Sequence, residues 1–310
     1  MSQADIITGD MREVLPTFIG LDADLILTDP PYCLESIAKR FGKEGAAPAQ
    51  HGKDGAANRL SRGFMGADWD SKIAFDPETW AACMPVLKPG GRLLAFGGSR
   101  DFWRIAAAID AAGYEQEDTI SWVYGTGQVF RHSRMKPCWE PIVVFRRPGP
   151  RVLDLEIDEG RTSRGKWPGN LIHDGSSEVL AGLPEGAEAY FNECPFTEEE
   201  EIQRTLYSSK AGSKERVYHC RLCKENFPHR ERAQHMHDQG HMDHVISHPT
   251  QKPLSLMAHL VKLFCPSEGV ILDPFCGTGT TCLAAIQNGR DAIGIEQDPI
   301  FADHARQRIA

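Results

Sequence analysis

The chain has 310 residues, 41% of them hydrophobic and 25% charged, and a formal net charge of −9. Those proportions exclude a collagen-like chain, a coiled coil and a wholly disordered chain, and the length suits one large α/β domain with room for an insert. No run approaches about 18 uninterrupted apolar residues, so no transmembrane helix and no membrane partner are expected. The opening MSQADIITGD has neither a basic segment nor a long apolar one and does not read as a signal peptide, so a cytoplasmic protein is expected. Net acidity lends no support to nucleic-acid binding over the whole surface, but binding depends on local patches. Residues 131–151 run basic, with Arg131, Arg134, Lys136, Arg146, Arg147 and Arg151 against Glu140 alone. The nine cysteines are odd in number and scattered, which is not a disulfide framework.

In chain order, Asp5–Thr8 reads as a strand ending in Gly9-Asp10. Leu25-Ile26-Leu27 reads as a buried parallel strand stopped by Asp29-Pro30-Pro31-Tyr32, with a short helix between the two. Residues 33–67 mix Gly with Ala, Lys and Asp without a period and read as a long functional loop. A helix is expected over Pro77–Leu87, closed by Lys88-Pro-Gly-Gly91, then a strand over Arg92–Phe96 and a helix over Asp101–Ala112. Strands follow at Thr119–Tyr124 and Pro141–Phe145. Residues 148–247 lose the alternation. It resumes with a helix at Leu254–Phe264, a strand at Gly269–Asp273, a helix at Thr280–Asn288, a strand at Asp291–Glu296 and a helix at Pro299–Ile309. Alternating strands and helices predict a doubly wound parallel sheet. The expected organisation is one α/β domain built from residues 1–147 and 248–310, interrupted by 148–247.

Asp273-Pro-Phe-Cys-Gly-Thr-Gly-Thr-Thr281 joins a buried strand to a helix. Gly277 and Gly279 let backbone approach a ligand closely, and a helix N-terminus favours polar groups. About 20 residues on, a strand ends in Glu296, whose carboxylate can accept hydrogen bonds from ribose hydroxyls. Together these predict a nucleotide-like cofactor. The third glycine of a dinucleotide fingerprint is missing, with Leu283 and Ala284 in that region, which points away from NAD.

Asp29-Pro30-Pro31-Tyr32 stands where α/β sheets place ligands. Two prolines stiffen the turn and remove two N–H donors, leaving carbonyls and one carboxylate to form an acceptor-rich pocket suited to an amino group. Tyr32 adds a π face.

These two turns together resemble the S-adenosylmethionine-dependent DNA amino-methyltransferases, which modify N6 of adenine or N4 of cytosine. Asp29-Pro-Pro-Tyr32 is similar to their catalytic motif and Asp273-Pro-Phe-Cys-Gly-Thr-Gly279 to their cofactor motif. His248-Pro-Thr-Gln-Lys-Pro253 is similar to their cofactor-side motif. The catalytic motif comes first, the order of the β class. Gly63–Trp69, Lys136–Pro141, Trp167–Asp174 and Tyr207–Ala211 resemble phage and prophage enzymes of this kind. The resemblance implies a circularly permuted Rossmann-like methyltransferase fold from a bacterial, archaeal or phage-infected cell. It implies S-adenosylmethionine as cofactor, double-stranded DNA as partner, and a homodimer as β-class relatives often form.

By resemblance, Asp29 and the Pro30 carbonyl accept hydrogen bonds from the exocyclic amine of a flipped base, beside Pro31, and Tyr32 stacks on that base. Glu296 holds the ribose and Asp10 lies near the cofactor adenine. Thr250 and Lys252 are candidates for the methionine carboxylate, and Met11, Asp29, Asp273, Phe275, Gly277, Gly279 and Thr280 complete the cofactor site. Asp at position 29 leans towards adenine N6, with cytosine N4 as the alternative. Methylation of RNA or of a protein amide, and a catalytically silent DNA-binding module, are the rival readings. No covalent cysteine is needed, and Cys33 and Cys276 read as small packing residues.

Cys220-x2-Cys223 followed by His235, His237, His241 and His244 is unusual for that family. The spacing lies close to a C2H2 finger, so structural Zn²⁺ is expected on Cys220, Cys223, His241 and one of His235 or His237. Residues 218–244 would then form a finger-like insert within a target-recognition region spanning 148–247. Arg230 and Arg232 on its helix, with Arg131, Arg134 and Lys136, are the candidate DNA contacts.

Overall fold

Ala23–Thr28 is buried at every position, the mark of a strand covered on both faces. In the computed structural model, which describes residues 2–31, 49–51, 57–59, 73–125, 135, 137–150, 154–197, 200, 217–219, 226–228 and 252–310, this strand lies inside a nine-stranded sheet. The strands are β1 (Ala4–Thr8), β2 (Ala23–Thr28), β3 (Ala49–His51), β4 (Ala57–Arg59), β5 (Leu87–Phe96), β6 (Glu115–Val123) and β7 (Trp139–Arg146). They continue with β8 (Leu171–His173), β9 (Asn192–Glu193), β10 (Val217–His219), β11 (Asn226–Pro228), β12 (Val270–Asp273) and β13 (Asp291–Glu296). The large sheet has the order β1-β13-β12-β2-β5-β7-β6-β8-β9, while β3–β4 and β10–β11 form two small antiparallel pairs.

β1, β13, β12, β2 and β5 are mutually parallel, as are β6, β8 and β9. β7 runs antiparallel between β5 and β6, so the sheet is mixed where a wholly parallel one is expected. Strand alternation sends Leu25 and Leu27 to one face and Ile26 to the other. On the first face, Leu94, Phe96 and Ile271 pack with α6 (Leu254–Phe264) and α7 (Thr280–Gln287). On the second, Leu93, Ala95 and Leu272 pack with α2 (Pro77–Cys83) and α3 (Phe102–Ala111), centred on Trp80, Ile105 and Ile109. The remaining helices are α1 (Met11–Val14), α4 (Ile157–Gly160), α5 (Ser177–Leu180) and α8 (Pro299–Ile309). Asp76 caps α2 and Asp298 caps α8, each followed by proline at the first helical position.

β6 starts at Glu115 where the sequence points to Thr119, α2 ends at Cys83 where the sequence points to Leu87, and two further differences have a clear local origin. β5 begins at Leu87, not Arg92, because Gly90 and Gly91 pair with the Arg147 backbone and stay in the sheet. The register with β2 shifts across Lys88–Gly91, a bulge where Lys88 Nζ meets Asp24 at 2.6 Å. Within 148–247, β8 and β9 extend the large sheet beyond β6, although strands of three and two residues carry too little pattern to be read.

Candidate active site

Strand order sets four acids in a row. Asp10 follows β1, Glu296 ends β13, Asp273 ends β12 and Asp29 follows β2, all at the carboxyl ends of adjacent parallel strands. Open α/β sheets bind ligands at this edge.

The turn after β12 is held by its own backbone. Gly277 and Gly279 have φ of 52° and 77°, a region that L side chains disfavour. Cys276 N–H donates to Ile295 O at 2.9 Å, and Gly277 N–H donates to Glu296 Oε2 at 2.8 Å. Glu296 Oε1 accepts from Asp298 N–H at 2.8 Å. Burial raises the Glu296 pKa, partly offset by these two bonds.

Asp273 is buried and ties the turn together. Its carboxylate accepts from Thr28 Oγ1 at 2.7 Å, Phe275 N–H at 3.1 Å and Thr281 Oγ1 at 2.5 Å. Burial pushes its pKa up to about 6 against the pull of those hydrogen bonds. Thr280 opens α7, its hydroxyl accepting from Arg308 Nη1 at 3.0 Å. Phe275 packs, partly buried, on the second core cluster. Asp10 caps α1 by accepting from Arg12 N–H at 2.9 Å, and the Arg12 side chain bonded to it holds its carboxyl below the usual carboxylate range. Met11 beside it is buried.

Asp29 faces a lysine. Lys252 Nζ lies 2.9 Å from Asp29 Oδ2 and 3.1 Å from Glu140 Oε1, with the Phe96 ring centroid at 5.0 Å. Burial disfavours the ammonium, but Asp29 and Glu140 outweigh it and hold its pKa above the ordinary lysine value. Pro30 is buried and Pro31 half-buried. Trp122, the cross-strand partner of Glu140, packs with its ring tilted against Tyr124 (centroids 4.9 Å) and Phe196 (5.6 Å).

The structure thus brings Asp10, Met11, Asp29, Lys252, Asp273, Phe275, Gly277, Gly279, Thr280 and Glu296 to one edge of the sheet. Sequence reasoning missed Thr28, Thr281 and Glu140. Glu140 had a signal, since it is the single acid in the basic run 131–151. Part of that run points elsewhere: antiparallel β7 carries Arg146 and Arg147 to the opposite edge, where Arg146 pairs with Glu115 and Glu117. Cys276 is buried, as a packing residue should be.

Tyr32, Thr250, Arg131, Arg134, Lys136, Arg230, Arg232, Cys220, Cys223, His235 and His241 lie outside the described residues, as does most of 33–67. Among the described residues no group of three or more His, Cys, Asp or Glu side chains could hold a metal ion, and no helix is long and apolar enough to cross a membrane.

A strand-end row of acids stands beside a glycine turn at the carboxyl edge of a mixed α/β sheet. Residues 23–307 match the DNA methylase family N6_N4_Mtase, and the chain belongs to that family. It is similar to the type II methyltransferase M.HindIII of Haemophilus influenzae, 23% identical over 283 residues that cover 82% of this chain and 76% of that protein. Over 63 residues, 20% of this chain, it is 43% identical to YubD of Escherichia coli (strain K12) and 44% identical to the type II methyltransferase M.ScaI of Streptomyces caespitosus. Those matches span only 28% and 21% of the two relatives' lengths. Its fold resembles M1.HpyAVI solved with SAM (TM-score 0.53, 18% identity, 99% of each chain). It also resembles the cytosine-N4-specific PvuII DNA methyltransferase (TM-score 0.56, 16% identity, 100% of this chain and 87% of that one).

Proposed function

We propose that the protein methylates an exocyclic amine, N6 of adenine, on a base flipped out of double-stranded DNA. The observation that carries this reading is the Thr28–Asp273 hydrogen bond, which sets the Asp29-Pro-Pro turn beside the Asp273–Gly279 turn on neighbouring strands. The residues fit S-adenosylmethionine: left-handed glycines leave room for close approach, Glu296 is fixed by backbone donors, and the acidic edge suits a cation. Asp10, Met11, Asp273, Phe275, Gly277, Gly279, Thr280, Glu296 and Thr250 would hold it. When bound, it would supply an electrophilic methyl group for the amine nitrogen, with the sulfur as leaving group.

The chain's own groups do the positioning. Asp29 and the Pro30 carbonyl accept the two N–H bonds of the amine, so the nitrogen lone pair stays available. Tyr32 stacks on the base. The surplus proton leaves along the hydrogen bond to Asp29 and passes to water. Positioning and electrostatics supply most of the acceleration in such a direct transfer.

The catalytic turn precedes the cofactor turn in the chain, the order of a circularly permuted methyltransferase. Residues 148–247 are proposed as the target-recognition region, with Arg131, Arg134, Lys136, Arg230 and Arg232 on DNA and a homodimer as the working form. A structural Zn²⁺ on Cys220, Cys223, His241 and His235 or His237 is proposed from the residue spacing, with the antiparallel pair β10–β11 on either side of Cys220 and Cys223 in the chain. One zinc per chain, lost in Cys220→Ser, is expected, and a metal-free active protein would remove the site.

The test incubates protein, S-adenosylmethionine and unmethylated DNA and identifies the modified nucleoside by mass spectrometry. N6-methyladenine is expected. N4-methylcytosine would overturn the choice of base, and no methylated base would overturn the reaction.

A further inference from the structure

We propose that Glu140 and Lys252 form a charge clamp that keeps the Asp29 carboxylate anionic and fixed as an acceptor for the target amine. The inference rests on the reading of Asp29 given above, and it makes Glu140 and Lys252 positioning residues.

Three separate elements build the clamp. Asp29 follows β2, Glu140 sits near the start of β7, and Lys252 enters α6 just before Pro253. Lys252 Nζ bridges the two carboxylates at 2.9 and 3.1 Å, and its side chain is only 8% exposed. The Phe96 ring at 5.0 Å gives the ammonium a further favourable face. The entry to α6 is itself anchored, since Leu254 N–H donates to Glu200 Oε1 at 2.7 Å and Ser255 Oγ donates to Pro195 O. A lysine stem is long and flexible, so a single carboxylate would leave its head free to swing. Glu140 removes that freedom by holding the ammonium with a second carboxylate.

Electrostatics gives the clamp its purpose. Three charged or titratable groups are tied to Asp29: Lys252 directly, Glu140 through the shared ammonium, and Asp273 by charge repulsion. Two of the three are acids, and they favour protonation of Asp29. A protonated Asp29 would present a donor where the amine needs an acceptor. Lys252 is the cation that opposes this, and its two carboxylate partners leave one net negative charge in the cluster.

The two members therefore act in opposite directions on Asp29. Removing the ammonium (Lys252→Met) leaves neighbouring carboxylates uncompensated and moves the Asp29 titration upward, because the adjacent cation that favoured its charged form is gone. Removing the second anion (Glu140→Gln) keeps a hydrogen-bond acceptor for Lys252 and lowers it. Lys252→Arg keeps the charge and should stay near the wild-type value. A merely structural role would cost stability without moving the titration at all.

The experiment titrates full-length protein carrying ¹³C-carboxyl aspartate, with the Asp29 resonance assigned through Asp29→Asn. In parallel it records single-turnover methyl transfer to DNA across pH. The expected result is an Asp29 midpoint, and an acid limb of the rate, moved up in Lys252→Met, down in Glu140→Gln and little changed in Lys252→Arg. An Asp29 midpoint unmoved in both of the first two variants would overturn the clamp. The carboxyl titration needs no turnover, so a wild-type protein that titrates as expected but methylates no DNA would sink the reaction and leave the clamp standing.

Discussion

Thr28 Oγ1 donates to Asp273 Oδ1 across 2.7 Å, joining residues 245 positions apart in the chain. Both are buried. The bond links the last residue of β2 to the last residue of β12, so each turn's position depends on the other strand. Thr28→Val keeps the shape of the side chain and removes the donor, leaving a buried carboxylate short of one partner. The expected cost is about 1–3 kcal/mol. A lower melting temperature and weaker S-adenosylmethionine binding by calorimetry would both report it.

Asp273 also makes stability depend on pH. Its pKa is about 6 in the folded chain against an ordinary value of 3.8. Between these values the folded state holds a proton that the unfolded state has released, so this group's contribution falls as pH rises through the window and is constant above it. Glu296, also raised, adds in the same direction. In urea unfolding, wild type should lose stability relative to Asp273→Asn as pH climbs from about 4 to about 7. A wild-type stability that rises with pH relative to Asp273→Asn would contradict this sign.

Asp29→Ala should lower methyl transfer by roughly 10²–10³-fold, the usual scale for one transition-state hydrogen-bonding group. S-adenosylmethionine binding should change only a few-fold, because Asp29 lies one strand away from the glycine turn. Normal turnover with intact cofactor binding would remove Asp29 from its role.

Two glycines at the edge are required for different reasons. Gly279 has φ 77°, and a Cβ there would stand 2.9 Å from Ala305 Cβ. Gly279→Ala should therefore cost more than about 1 kcal/mol and weaken cofactor binding. At Gly294 the backbone is ordinary but the space is filled, with Cys276 Sγ and Ile6 Cδ1 at 2.8 Å and Cys282 Sγ at 2.9 Å. Gly294→Ala should cost about 1–3 kcal/mol by overpacking. Chemical denaturation separates both from Gly20→Ala, where nothing lies within 4 Å but φ is 91°.

Much of this was legible from the residues. The buried run Leu25–Leu27, the turns at Asp29 and Asp273 and the acid at Glu296 all have local signatures, because a fully buried strand and a glycine turn depend on their own few residues. The pairings of Asp29 and Asp273 had no such local signature, although Glu140 stood out as the single acid in the basic run 131–151. Thr28, Glu140 and Lys252 acquire meaning only from strand order, which sets β2 beside β12 and lets Glu140 and Lys252 reach the same carboxylate. Lys252 reads from the sequence as a cofactor-side residue, and spacing along the chain cannot show that two acids hold its ammonium. Nor could composition show that β7 reverses and takes Arg146 and Arg147 away from the edge.

The pairing of β1 with β13, from Ala4↔Ala292 to Thr8↔Glu296, has a consequence in time. During synthesis β1 and β2 emerge well before β12 and β13, the strands flanked by both. At about 5–20 residues per second the wait is on the order of tens of seconds. Throughout it β2 lacks its β12 neighbour and presents an unpaired apolar edge. The acid row at Asp10, Glu296, Asp273 and Asp29 is then completed in one late event, so a partly made chain carries the Asp29 turn without the turn that completes the site.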